Sequence, residues 1–280
     1  MLSITNHDRN RLGLNYVYPV LSRRAEGLSI GINLNPNNAC NWRCIYCQVP
    51  GLQRGGAPAI DLALLERELR ELLQDVLQGD FFDRLHVPPA WREIRDIAIS
   101  GNGEPTSSAE FCRVVDLIGS VAASLGLDDC KRVLISNGSL VHQPLVQQGL
   151  KRWGELGGIL WFKLDSATDA GLARINNAGL ASAKARANLE TAAALCPVWI
   201  QTCLFLQDEQ PPALHECRAY LELLADLTAR SIPLQGVLLY GLARPSRQPE
   251  APRLSALPLE WLESFANDIR RLGLEVKVSE

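Results

Sequence analysis

"LSIGINLNPNNACNWRCIYCQVPG", residues 28–51, opens as a strand and closes as a binding loop. Its first part, Leu28–Leu34, is a short apolar, β-branched run of the kind that forms a buried strand. The rest places Cys40, Cys44 and Cys47 within eight residues, beside Asn, Pro and Arg. A closed structural metal site takes four protein ligands, so three cysteines pose the question of the fourth.

Outward from this stretch, similar runs recur at Ile94–Ile99, Arg132–Ile135, Ile159–Leu164, Trp199–Leu204 and Gly236–Leu239, with a last short one at Leu274–Val278. Helical patterns lie between them, among them "DLALLERELRELLQDVLQ" and "SAEFCRVVDLIGSVAASLG". Strand and helix alternate six times. The alternation predicts an α/β fold of repeated βα units on a parallel sheet, either open and doubly wound or curved into a barrel. Period does not separate the two, but both present ligands at the carboxyl ends of the strands. "GDFFDRLHVPPAWREIRD", with Pro88-Pro89, breaks the rhythm as a loop insertion. Residues 1–27 read as an N-terminal arm and 28–280 as one core domain with a short C-terminal strand.

The 280 residues are 47% apolar, enough for one sizeable core. A formal net charge of −3 excludes a nucleic-acid binder held by a broad electrostatic field. Arg9, Arg11, Arg23 and Arg24 gather locally, as a solvated arm or as an RNA or phosphate contact. The N-terminus lacks the apolar core of a secretory signal, and no run reaches the length of a membrane span. A cytoplasmic protein is expected, and its eight cysteines read as metal ligands or buried thiols rather than disulfides.

Three readings of the cysteine stretch compete. Zinc lacks a partner set, because His7, His86, His142 and His215 show no metal-site spacing to it. Three unliganded thiols sit poorly in so polar a loop. An iron–sulfur cube takes thiolates, and three of them leave one iron open to a substrate or cofactor.

The spacing C-x3-C-x2-C, with Tyr46 before the last cysteine, resembles the signature of the radical S-adenosylmethionine (SAM) superfamily. "SGNGEPT", residues 100–106, resembles its glycine-rich motif after the second strand. The likeness runs on through "LISNGSL" and "WFKLDSATDAGLARINN", and is similar to a subgroup of Fe-S oxidoreductase type, distantly related to wybutosine tRNA-modifying enzymes.

This resemblance implies a partial TIM barrel of about six βα units, and a 4Fe-4S cluster on Cys40, Cys44 and Cys47. It implies SAM on the open iron, cleaved reductively to methionine and a 5′-deoxyadenosyl radical that takes a hydrogen atom from an unknown substrate: small molecule, peptide or RNA. The electron would come from a reductant such as flavodoxin or ferredoxin.

On the same resemblance, Gly101 and Gly103 let backbone carbonyls approach the methionyl ammonium and Glu104 adds a charge-assisted hydrogen bond. Ser136 and Asn137 either donate to the methionyl carboxylate or ribose, or are plain turn chemistry. Lys163 and Asp165 share one strand face, where Lys163 would meet the SAM carboxylate and Asp165 the ribose, unless they pair with each other. Tyr46 would lie against the adenine, with Leu239, Tyr240 and Leu242 opposite. Cys203, at a strand end, would give a hydrogen atom to a substrate radical, making it and Lys163 the expected catalytic residues. Arg174 and Asn176 gate the opening or belong to a surface loop. Cys112, Cys130, Cys196 and Cys217 read as buried thiols.

The wyosine-forming relatives carry a second cluster on additional N-terminal cysteines, whereas no cysteine precedes Cys40 in this sequence, and the cysteine-rich C-terminal extension of many peptide-modifying members is not expected here. The alternatives are wyosine-like tRNA base modification, disfavoured by the acidic balance, glycyl-radical activation of a protein partner, and a non-catalytic iron–sulfur or zinc module.

Overall fold

A computed structural model of the chain describes residues 12–22 and 26–279. Eight strands form one sheet whose spatial order follows the sequence. They are β1 (Val17–Ser22), β2 (Gly27–Ile32), β3 (Ile94–Ile99), β4 (Lys131–Ser136), β5 (Gly158–Lys163), β6 (Val198–Cys203), β7 (Leu234–Tyr240) and β8 (Val276–Ser279). β1 runs antiparallel to β2, and every other neighbouring pair is parallel. β1 and β8 remain edges, so the barrel is open rather than closed.

Helices α1 (Leu62–Gln78), α2 (Phe111–Ser124), α3 (Pro144–Glu155), α4 (Asp169–Asn176), α5 (Ser182–Ala193), α6 (Leu214–Ala229) and α7 (Leu259–Arg270) fill the connections. The six βα units expected from sequence are β2 to β7 with the helices that follow them. Asp61 caps α1 by accepting from the Leu64 N–H at 3.0 Å, and the helix buries Leu65, Leu69, Leu72, Leu73 and Val76.

The two faces of the sheet differ in chemistry. Leu28, Ile30 and Ile32 of β2, Ile97 and Ile99 of β3, Leu134 of β4 and Val198 and Ile200 of β6 are wholly buried in the main core with the helices. The residues between them, which point to the other face, include Ser29, Gly31, Asp96, Ala98, Val133, Trp161, Lys163, Gln201 and Cys203, and these line a cavity. A closed barrel fills its interior with branched aliphatics. Here small and polar residues leave it hollow.

Residues 17–22, placed in an N-terminal arm from sequence, instead form edge strand β1. Buried Glu68 of α1 fixes its start by accepting from the Asn15 and Tyr16 N–H groups, each at 2.8 Å. Arg9, Arg11, Arg23, Arg24 and His7 lie outside the described residues. The 79–96 insertion holds two short helical turns, Phe81–Arg84, anchored by fully buried Phe81, and Pro89–Trp91. Among the described residues no helix is long and apolar enough to cross a membrane.

Candidate cofactor site

The loop after β2 carries the three cysteines to the rim of the inner cavity. Cys40, Cys44 and Cys47 all line that cavity, which measures about 360 Å³, and all are free thiols. Two clasps fix the loop. On one side the end of α4 receives it: the Arg43 N–H donates to the Asn176 carbonyl at 3.1 Å, and the Ile45 N–H to the Ile175 carbonyl at 2.8 Å. On the other, the stretch after β7 reaches over. Ser246 Oγ donates to the Ile45 carbonyl at 2.7 Å, and the Arg247 N–H to the Cys47 carbonyl at 2.8 Å. Arg43 and Glu250 close the clasp with a bidentate pair at 2.6 and 3.0 Å.

α4 is a helix that the sequence pattern does not announce; its end, expected as a gate or a surface loop, is the helix's last turn. Thr168 caps its start on the Gly171 N–H at 2.9 Å, and Asn177 ends it in the left-handed conformation, φ 47°. Asn176 is fully buried, and its amide donates to Asp165 Oδ2 at 2.7 Å and to Cys44 Sγ at 3.2 Å. It therefore supports the cysteine loop rather than gating anything. Arg174 donates to Gln207 at 2.8 Å, away from the cysteines.

Burial pushes the Cys40 thiol up to about 11 and the Cys44 thiol up to about 12, the nearby Asp165 carboxylate adding to the latter. Both sulfurs face N–H donors, from Trp42 at 3.4 Å and from Asn176. Buried thiols of this kind are neutral alone and become thiolates on taking up metal, with release of protons. Among the described residues no three His, Cys, Asp or Glu side chains are grouped to hold a metal ion. The donor set, three thiols from one loop with hydrogen bonds toward sulfur, suits a thiolate-held cluster that spreads its ligands wider than one ion does.

The glycine-rich loop lies directly beneath this one. A Cβ on Gly103 would stand 1.9 Å from the Ala39 carbonyl oxygen, and one on Gly101 2.2 Å from Asn33 Oδ1. These glycines are demanded by the packing of the two loops, a reason the sequence did not reveal. Glu104 is buried at the cavity wall, where burial raises its pKa. Its Oε1 accepts from Ser136 Oγ at 2.6 Å and from Thr106, and its Oε2 from the Asn137 N–H at 2.7 Å. Thus Glu104 ties the glycine loop to the loop after β4. Ser136, expected to face a ligand, sits behind Glu104 and off the cavity. Asn137 reaches the wall, where its amide donates to Asn41 Oδ1 at 2.8 Å.

Lys163 points inward and donates to Tyr240 Oη at 2.7 Å, with its ammonium 5.1 Å from the centre of the Tyr46 ring. Burial opposes its charge, and the Tyr240 hydroxyl and Asp165 carboxylate outweigh that, leaving its pKa above the usual lysine value. It makes no ion pair with Asp165. That carboxylate instead accepts from Tyr46 Oη at 2.5 Å, from Asn176 and from the Cys203 N–H at 2.9 Å. Its lining position is a second cavity of about 490 Å³ behind β6, which holds none of the three cysteines and meets the inner one at Cys203. Asp165 thus braces these groups, and the Tyr46 ring, 5.7 Å from Phe205, also lines the inner cavity. Leu239 turns into the outer core, whereas Tyr240 and Leu242 line the inner cavity. Cys203 is 1% exposed at the inner wall, and burial raises its pKa. Of the other cysteines only Cys196 is buried; Cys112, Cys130 and Cys217 are partly exposed.

No family model matches the sequence. The fold is that of the radical SAM enzymes. It superposes on a radical SAM methyltransferase from Sphaerobacter thermophilus with TM-score 0.54 at 12% identity, over 94% of this chain and 68% of that one. TYW1 with a bound lysine-pyruvate adduct gives TM-score 0.57 at 14% identity, over 97% of this chain and 79% of that one. In sequence the chain is similar to a UPF0026 protein of Helicobacter pylori, 35% identical over 150 residues, which are 53% of this chain and 41% of the relative. The chain thus spans less than half the length of that relative.

Proposed function

We propose that the protein is a radical SAM enzyme that binds a 4Fe-4S cluster through Cys40, Cys44 and Cys47 and SAM beside it. The observation that carries this reading is the meeting of three free thiols of one short loop with the glycine-rich loop at the rim of a hollow sheet. When bound, such a cluster supplies an electron to the sulfonium of SAM, which yields methionine and a 5′-deoxyadenosyl radical.

The chain's own residues bind, orient and shield. Glu104 presents a buried carboxylate to the cavity with acceptor capacity left for an ammonium. Lys163, held by Tyr240, offers a cation to a ligand carboxylate. Cys203 keeps its proton through burial, so it presents S–H rather than thiolate to the inner cavity. The two clasps hold the cysteine loop in place over the cavity.

The test is anaerobic reconstitution with iron and sulfide, followed by electron paramagnetic resonance of the reduced protein with and without SAM. A reduced-cluster signal that changes on SAM addition is expected. A signal indifferent to SAM, or a protein that takes up zinc in place of iron and sulfide, would overturn the reading.

A further inference from the structure

The inner cavity continues past the cofactor rim toward the amino-terminal ends of the strands. There Asp96 of β3 stands between Ser29 of β2 and Lys131 of β4 in register. Asp96 is 7% exposed and lines the cavity together with Ser29 and Val133. The Ser29 hydroxyl donates to its Oδ1. Among the described residues that is its one hydrogen bond, and no ion pair reaches it; Lys131 acts on it only through space. An ionised carboxylate has about four acceptor sites, so most of this one's capacity is unused. Burial raises its pKa, against the lowering by the Ser29 hydrogen bond and by Lys131.

The Tyr18 ring lies over Gly31, where a Cβ would meet it at 2.2 Å, and its hydroxyl reaches Ser100 at the rim; beside that ring, small Ala98 and the Trp161 ring line the cavity. From Asp96 to Ser100 at the rim, β3 climbs about 13 Å. Lys163 and Glu104 line the cavity toward the rim and Asp96 its floor.

We propose that Asp96 and Ser29 form a substrate subsite for a cationic nitrogen group, an ammonium or amidinium, on a small molecule lying along the inner face. The cation would sit on the floor, with the reacting carbon near Lys163 and Cys203. The assignment of that carbon rests on the radical SAM reading, whereas the floor subsite rests on its own geometry. A buried carboxylate pairs with a cation through a charge-assisted hydrogen bond, and the positive Lys163 disfavours the reverse orientation.

Calorimetric titration of the full chain tests this with four probes of similar length: n-pentylammonium, n-butylguanidinium, 1-pentanol and pentanoate. The two cations are expected to bind at least about tenfold tighter than the alcohol, and pentanoate weakest. In Asp96→Asn, which keeps an acceptor for Ser29, that preference is expected to vanish. Equal binding of alcohol and cations by the wild-type chain would overturn the proposal without recourse to a variant, as would an Asp96→Asn variant that keeps the preference. The titration uses no cluster and no SAM. A protein that keeps the cation preference but fails to respond to SAM would lose the radical reading and keep the subsite.

Discussion

The outer and inner faces of the sheet are built from the same strands by opposite rules. The outer face is largely aliphatic and covered by helices, with a cavity behind β6; the inner face is richer in small and polar residues and hollow along the sheet. Leu134 and Val133 are neighbours in β4, yet one is wholly enclosed in the core and the other faces the cavity. Stability is therefore concentrated on one side of the strands and ligand chemistry on the other. A substitution should reveal which side it is on by what it changes.

The largest effect is expected at the rim. Cys44→Ala and Cys47→Ala should each reduce iron and sulfide after reconstitution to background, measured by colorimetric assay. The apoprotein's unfolding midpoint should move little, because no cluster contributes to it. Crossing to the outer face reverses the pattern. Leu134→Ala removes a fully buried side chain and should cost about 2–5 kcal/mol in urea unfolding, with iron uptake at low temperature retained.

Asn176→Ala tests the junction of the two faces. It removes donors to Asp165 and Cys44 and should lower stability by about 1–3 kcal/mol while hastening iron loss from the reconstituted protein. Equal rates of iron loss in variant and wild type would show that α4 does not support the cysteine loop.

The smallest effect concerns pH. Burial raises the folded pKa of Asp96 above the usual aspartate value, so its neutral form favours folding. That contribution is complete below the unfolded pKa and is lost as pH climbs through the raised folded value. Lys131 and Cys130 are the titratable groups beside it, and burial pushes the Cys130 thiol up to about 11, above that window. Asp96→Asn should flatten the fall in stability above pH 4, read from urea midpoints at successive pH values.

The sequence carried the strands β2 to β8 and the cysteine loop, because runs such as Ile94–Ile99 are short, apolar and followed by polar turns. It did not carry β1, since "VYPVLS" contains Pro19, tolerated only because the strand lies at the sheet edge. Nor did it carry α4, eight residues long with little apolar periodicity. Site residues were legible as types and less so as roles. Asp165 and Ser136 read as ligand contacts, but their partners, Tyr46, Asn176 and Glu104, lie 119, 11 and 32 positions away along the chain. Asp96 and Gln201 were passed over, although a polar residue inside a buried strand is the one local sign of an inward-facing wall.

The most direct measurement is product analysis of the reduced, reconstituted chain with SAM, by liquid chromatography and mass spectrometry. The account predicts 5′-deoxyadenosine and methionine in equal amounts, absent from Cys44→Ala. A protein that holds its full complement of iron and sulfide, yet leaves SAM intact under reduction, would contradict it.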